Sequence, residues 1–367
     1  MRSHFIRIAG LMAATTIGAG LFSLPYVLYK SGWVVSLLYL VLAVGAIVFA
    51  HSLYLRTLEG NGGGKHLLGL ATEYFGGFGR GFGLLVIVGG LTLALVIYLV
   101  LVGEFSEMLF VGSRNLGLVL FWLAGSLPII FSRRTISSEL VGAVLMTAII
   151  LLVFAGFFGS SALNLPVADF KNIFLPFGPL LFALAGWTAI EPIFDYKKQA
   201  GYNRASVAMG VGTIFAAVLY TLFVLGILGS AGSITPDTVG GLSNWAGWKF
   251  VLLIILGLFA VWTSYVPIGL EIKNALEKDL SWAKTWSGAL VLFLPLALVF
   301  LGLRDFIKIV GLAGGVFLGL EYLLILMVSQ KALNLRGAKM FLVWLLGIIF
   351  LLGAVYEVYY FLSIEAD

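Results

Sequence analysis

Residues Thr15 to Pro25 read Thr-Thr-Ile-Gly-Ala-Gly-Leu-Phe-Ser-Leu-Pro, inside an apolar stretch long enough to cross a bilayer. Two glycines and a proline are poor material for a continuous helix. Within hydrocarbon, a broken helix strands N–H and C=O groups that no water can satisfy, at several kcal/mol each. Such a break is tolerated where it lines a cavity or meets a ligand. A span opened at Gly18-Ala19-Gly20 presents amide N–H groups to an anion and carbonyls to a cation. The motif therefore points to a small-molecule site near the middle of a membrane.

The rest of the chain agrees with a membrane setting. Of its 367 residues, 61% are hydrophobic and 11% charged, against roughly half and a quarter in soluble domains. There is room for about ten to twelve spans of about 20 residues, and none for a large soluble domain. Apolar runs bounded by charged or turn-forming residues give eleven segments, at 6–30, 33–56, 81–104, 116–132, 138–160, 174–195, 205–230, 248–271, 285–303, 306–329 and 339–362. With the N-terminus inside, sixteen of the 22 basic residues fall in cytoplasmic loops; Lys30, Arg114, Lys171, Lys249, Arg304 and Lys308 fall outside. That imbalance sets the expected orientation, with a cytoplasmic N-terminus, an outer C-terminus and a cell-membrane location. The net charge of +5 is then a topology signal, and nucleic acid is not an expected partner; lipid is. The basic N-terminus runs straight into the broken span and is read as a retained helix. Residues 57–80 suggest a short amphipathic helix at the inner interface, and 233–247 a structured outer loop able to act as a lid.

A second interruption is expected in segment six, which reads Phe-Ala-Leu-Ala-Gly-Trp-Thr-Ala-Ile-Glu-Pro from Phe182 to Pro192. Breaks in segments one and six of eleven imply two five-span halves of opposite orientation, 1–160 and 174–329, with 339–362 added outside the repeat. The fold class expected is thus an all-α polytopic membrane protein of about eleven helices, a 5+5 inverted repeat plus one. Most of the 46 glycines must serve helix packing. Gly45, Gly89, Gly90, Gly142, Gly156, Gly314 and Gly315 are assigned to that role.

On these two segments the chain resembles the amino acid/auxin permease branch of the amino acid–polyamine–organocation superfamily. "TTIGAGLFSLPYVLYKSGW" (Thr15 to Trp33) is similar to the first span of those permeases, closest to aromatic amino acid permeases of bacteria. "FALAGWTAIEP" is similar to their broken sixth span. The resemblance implies alternating access and an amino acid substrate. It places the α-carboxylate near Gly18, Ala19 and Gly20, beside Ile17, and the α-ammonium near the carbonyls of Thr15, Thr16 and Ala183. The substrate side chain would lie against Tyr98, Ala185, Gly186, Trp187 and Thr188. A neutral substrate, extending to large or aromatic ones, is expected.

No cofactor is expected beyond a coupling ion, H+ or Na+. In sodium-coupled members of this fold, adjacent hydroxyls such as Thr263-Ser264 form a cation site with first-span carbonyls, and hard cations take oxygen ligands. The chain carries Ala13-Ala14-Thr15 where some of those relatives have an asparagine, which favours a proton. Proton coupling needs an ionisable group at depth. Glu191 and Glu321 are the candidates, with His51 and Glu104 placed nearer the interfaces. For Glu191 the competing reading is a pair with Lys197 or Lys198; Glu271 is read as a surface pair with Lys273. An enzyme is not expected: there is no cysteine, and His4, His51 and His66 are far apart in sequence without a hydrolase motif. A non-transporting amino acid sensor on the same fold is the remaining alternative.

Overall fold

The computed structural model describes residues 2–62, 65–131, 136–157, 166–229, 233–236, 238 and 247–363. Among these, all regular structure is helical. The first apolar segment is two helices. α1 (Arg2–Thr16) stops at the glycine motif, a single 3-10 turn covers Ala19–Phe22, and α2 (Leu24–Ser31) begins with Pro25 in its first turn. A proline there is well tolerated because the first N–H groups have no intrahelical partner. The two pieces meet at a bend of 53°. Gly18 is extended, with φ −142° and ψ −162°.

Segment six breaks in the same manner. α8 (Phe177–Leu184) ends where Ala185 turns extended, and a 3-10 turn at Trp187–Ala189 leads into α9 (Ile190–Ala200). Between the two broken segments lie α3 (Trp33–Gly60), α4 (Leu67–Gly83), α5 (Gly89–Leu109), α6 (Arg114–Ile130) and α7 (Ile136–Phe157). After them come α10 (Ala205–Leu228), α11 (Trp248–Asn274), α12 (Lys284–Phe300), α13 (Phe306–Gly311), α14 (Gly319–Leu333) and α15 (Ala338–Ser363). Among the described residues, seven helices are long and apolar enough to cross a membrane, eight counting the bent pair. Shorter apolar helices occupy the segments expected at 116–132, 138–160 and 285–303. α4 carries the amphipathic pattern read from 57–80: Leu67, Leu68, Leu70 and Ala71 are buried, and the helix kinks at Gly76, φ 61°. Of the loop 233–247, expected to act as a lid, most lies outside the described residues; Thr238 donates to the carbonyl of Phe22.

The helices sort by exposure. Every residue of α5 from Gly90 to Gly103 is buried, so this helix is surrounded by protein, as an all-round apolar helix should be. α3 and α15 instead show outer apolar rows, including Leu37, Leu38, Val41 and Leu42 on one and Leu352, Val355 and Tyr359 on the other. Apolar surface of that extent suits lipid, and the chain is an integral membrane protein. α1 packs on α10 and α7, and α8 on α3 and a π-helical turn at Leu312–Leu318. A second π turn, Leu84–Val88, leads into α5.

The packing glycines divide. A Cβ on Gly314 would lie 1.9 Å from the Gly178 carbonyl oxygen, and one on Gly315 2.1 Å from Cγ of Glu357. Gly89 and Gly90 press on Phe317 in the same way. Gly45 does not pack: it is exposed, and a Cβ there would meet nothing within 4 Å. The surroundings of Gly142 and Gly156 lie outside the description. Glu357, 3% exposed on α15, accepts from the Gly178 amide at 3.0 Å. It caps the free N-terminus of α8, where a carboxylate is favoured.

These contacts predict opposite outcomes for two glycines. Gly315→Leu should lower the thermal unfolding midpoint of the purified protein, with about 1–3 kcal/mol of overpacking. Gly45→Ala should leave it unchanged or raise it slightly, by up to about 1 kcal/mol. Equal effects would contradict the packing described.

Candidate functional site

The two breaks touch. A Cβ on Gly20 would sit 2.6 Å from Cα of Ala183, so the backbones approach to a distance that only glycine permits. One on Gly186 would meet Oγ1 of Thr16 at 2.7 Å, and one on Gly18 Oγ of Ser264 at 2.9 Å. The glycines at both breaks are needed for close approach; none of the three has a positive φ.

A cavity of about 50 Å³ lies at this junction. It is lined by Thr15, Thr16, Gly18, Ala19 and Gly20 from the first break, and by Ala185, Gly186, Trp187 and Thr188 from the second. Tyr98 of α5 and Thr263 and Ser264 of α11 complete the set foreseen from the sequence. Ile17 and Ala183, also foreseen, are buried behind the wall and do not line it. Gly90, Leu91, Ala94, Phe182, Pro267, Ile268 and Leu318 do. They were not legible as site residues, being ordinary apolar residues without a chemical group to mark them. Among the described residues, no charged side chain lines the cavity. The first N–H groups of the turn that restarts at Ala19 have no intrahelical acceptor.

The hydroxyls of α11 face different ways. Thr263 donates to the carbonyl of Phe259 at 2.9 Å, back along its own helix. Ser264 Oγ is buried against Gly18.

Behind the cavity, the Trp187 indole N–H donates to Glu321 Oε2 at 2.6 Å. Trp187 is 2% exposed, so its ring is committed to protein packing as well as to the cavity wall. Glu321 is fully buried at the first turn of α14, just past the π turn, and its Oε1 has no hydrogen-bond partner. Gly90 makes room for that oxygen; a Cβ would meet it at 2.4 Å. His51, expected nearer an interface than Glu321, is buried within the protein. It is 1% exposed and bonded through Nε2 to the Tyr322 hydroxyl at 3.0 Å. Glu104 does sit near an end, paired with Arg114 at 2.6 Å.

Glu191 is held differently from the lysine pairing weighed above. Lys197 bonds Glu59 at 2.7 Å and Lys198 the Gly62 carbonyl at 3.2 Å. Glu191 instead accepts from the Tyr54 hydroxyl at 2.6 Å and from the Leu67 amide at 3.3 Å, and bonds His66 Nδ1. One carboxylate thus joins α3, the start of α4 and α9. Glu271 lies 4.0 Å from His66, while the Lys273 ammonium goes to the carbonyls of Ile129 and Ile130. Donor atoms of His66, Glu191 and Glu271 fall within 4.8 Å of one another. Their bonding is that of an ion-pair cluster. Sequence reasoning missed His66 because its partners lie more than a hundred residues away.

His66 sits in the loop ahead of α4. Burial works against its charged form, but the bond to Glu191 and the charges of Glu191, Glu271 and Asp279 outweigh it and push its pKa up to about 9.

The solved structure of MhsT in complex with L-phenylalanine is similar to this chain, with a TM-score of 0.65 over 95% of this chain and 98% of that one, at 14% sequence identity. At that identity the likeness establishes a shared fold. No family profile matches the chain, and no curated protein matches it.

Two predictions follow from the geometry. Gly20→Ala should abolish function while leaving membrane insertion intact, because rigid backbone opposes the added methyl; Gly18→Ala should be milder, since a serine hydroxyl can turn away. Ligand binding to the two purified variants checks the order. For His66, a folded pKa of about 9 against 6.5 unfolded means stabilisation that is complete below 6.5 and lost as pH rises through about 9. His66→Gln should therefore lower the unfolding midpoint at about pH 6 and converge with the parent at about pH 10. A pH-independent difference would rule out the ion pair as its source.

Proposed function

We propose that this chain is a secondary transporter of neutral amino acids that works by alternating access. The observation that carries the proposal is the cavity between two touching helix breaks, lined by backbone whose amides and carbonyls have been released from helical bonding. A zwitterion needs both at once. The α-carboxylate would meet the amides at Gly18, Ala19 and Gly20, and the α-ammonium the carbonyls near Thr15 and Thr16. The uncharged lining supports a neutral side chain. That MhsT, of the same fold, is described in complex with L-phenylalanine supports an amino acid as the ligand. The eleven-span count, the inverted halves 1–160 and 174–329, the added helix at 339–362 and the cytoplasmic N-terminus belong to this reading.

A cavity of about 50 Å³ is far smaller than the roughly 300–1,000 Å³ of sites that enclose a small-molecule ligand. This conformation is therefore a contracted one, and substrate enters by widening it. With Trp187 tied to Glu321, the pocket has little slack on the side-chain end, which favours small neutral amino acids over aromatic ones.

For coupling we propose a proton carried by Glu321. A buried carboxyl with one oxygen on Trp187 and the other unpartnered is poised to change protonation, and through Trp187 it touches the cavity wall. The second reading is sodium at Ser264, whose hydroxyl is buried beside the first break; Thr263, turned to its own helix, supports that reading less. A receptor that binds amino acids without moving them is separated from both by transport itself.

The decisive experiment is uptake of a panel of radiolabelled amino acids into proteoliposomes under a proton gradient alone and a sodium gradient alone. Accumulation of a neutral amino acid under the proton gradient is expected. Glu321→Gln should reduce that accumulation at least about tenfold while sparing exchange of internal for external substrate. Undiminished proton-driven uptake by the variant would remove Glu321 from the mechanism, and absence of any uptake or exchange would leave the sensor reading.

A further inference from the structure

The residue that joins the two breaks is not among those that line the cavity. Tyr220 projects from α10, 1% exposed, on the far side of the broken segments. Its hydroxyl lies 2.6 Å from the carbonyl oxygen of Thr16 and 2.8 Å from that of Ala183. The Gly18 amide donates to the same oxygen at 3.4 Å. One side chain therefore contacts three backbone groups that the breaks have released.

The two carbonyls belong to helix ends. Thr16 is the last residue of α1, and Ala183 lies one residue before the end of α8. Each end carries roughly half a negative charge from the helix dipole. Two such ends aimed at one point, with backbone oxygens converging on it, form the donor set that a hard cation takes. A phenol meets the same demand without charge. It has one O–H to share between the two carbonyls and lone pairs to accept the amide. It is also tethered to the chain, so its place is filled at any ion concentration.

We propose that the Tyr220 hydroxyl is a built-in substitute for a monovalent cation at the junction of the two breaks. It is a positioning residue: it does not line the cavity at the junction, but it fixes Thr16, Gly18 and Ala183 relative to one another, and with them both walls of the site. The transport reading gives this role its purpose, but the arrangement of carbonyls stands without it. The consequence is that the junction needs no bound ion.

The test is to remove the hydroxyl and ask whether a cation takes its place. Tyr220→Phe keeps the ring and deletes the donor. Tyr220→Asn vacates the space and supplies an amide oxygen as a further ligand; Tyr220→Ser serves if the asparagine variant does not fold. Equilibrium binding of radiolabelled sodium to the purified proteins should show one more equivalent on the asparagine or serine variant than on the parent or the phenylalanine variant. Unfolding midpoints should fall in all variants when measured in choline chloride. Sodium chloride should restore the midpoint of the asparagine or serine variant and not that of the phenylalanine variant. A structural hydroxyl with no cation-like role would give the fall without the sodium effect, and that result overturns the proposal. So does a phenylalanine variant as stable as the parent. None of these readouts depends on uptake, so they decide the role of Tyr220 even if the parent protein moves no amino acid.

Discussion

Everything near the centre of this molecule follows from backbone meeting backbone at Gly20 and Ala183. A methyl at position 20 would lie 2.6 Å from the opposing Cα, so the contact exists only because a side chain is missing. That contact brings the end of one interrupted segment beside the interruption of the other. The amides and carbonyls each break has released then share a cavity instead of facing lipid. Separate the breaks, and each becomes an unsatisfied helix end in hydrocarbon, at several kcal/mol per group.

The buried acids obey the same accounting of donors. A carboxylate at membrane depth is costly, and three of the buried acids here are placed on a specific N–H or O–H. Glu191 takes a tyrosine hydroxyl, a histidine and the first amide of α4. Glu357 takes the Gly178 amide, and Glu321 the Trp187 indole. Of the three, Glu321 keeps a fully buried oxygen without a partner, and it is also the one behind the cavity. Cost and proximity together make it the group worth testing for proton movement.

The glycine motif made the first break legible because Gly-x-Gly followed by Leu-Pro has no good helical reading in an apolar stretch. Gly186 and Trp187 marked the second for the same reason. Tyr98, Thr188 and Ser264 came from the family resemblance and lie on the cavity wall. What the chain order concealed were pairings across long separations. Tyr220 meets Thr16 over 204 residues, and His66 meets Glu191 over 125. Local pattern carries no trace of such partners. His51 packs inward on Tyr322, a partner 271 residues away. Gly45 looked like a packing residue because it lies in an apolar helix, and the helix face it occupies turns outward.

The bond from Glu357 to Gly178 gives the final helix a mechanical standing that its place in the chain order does not suggest. The acid on α15 is seated among Gly178, Gly311 and Gly315, three positions on two different segments. Any displacement of α8 against α13 must therefore either drag α15 with it or tear a buried carboxylate from its only amide. Helix α15 is thus a strut between α8 and α13, and shortening the chain before it would free a joint at the N-terminal end of the sixth segment.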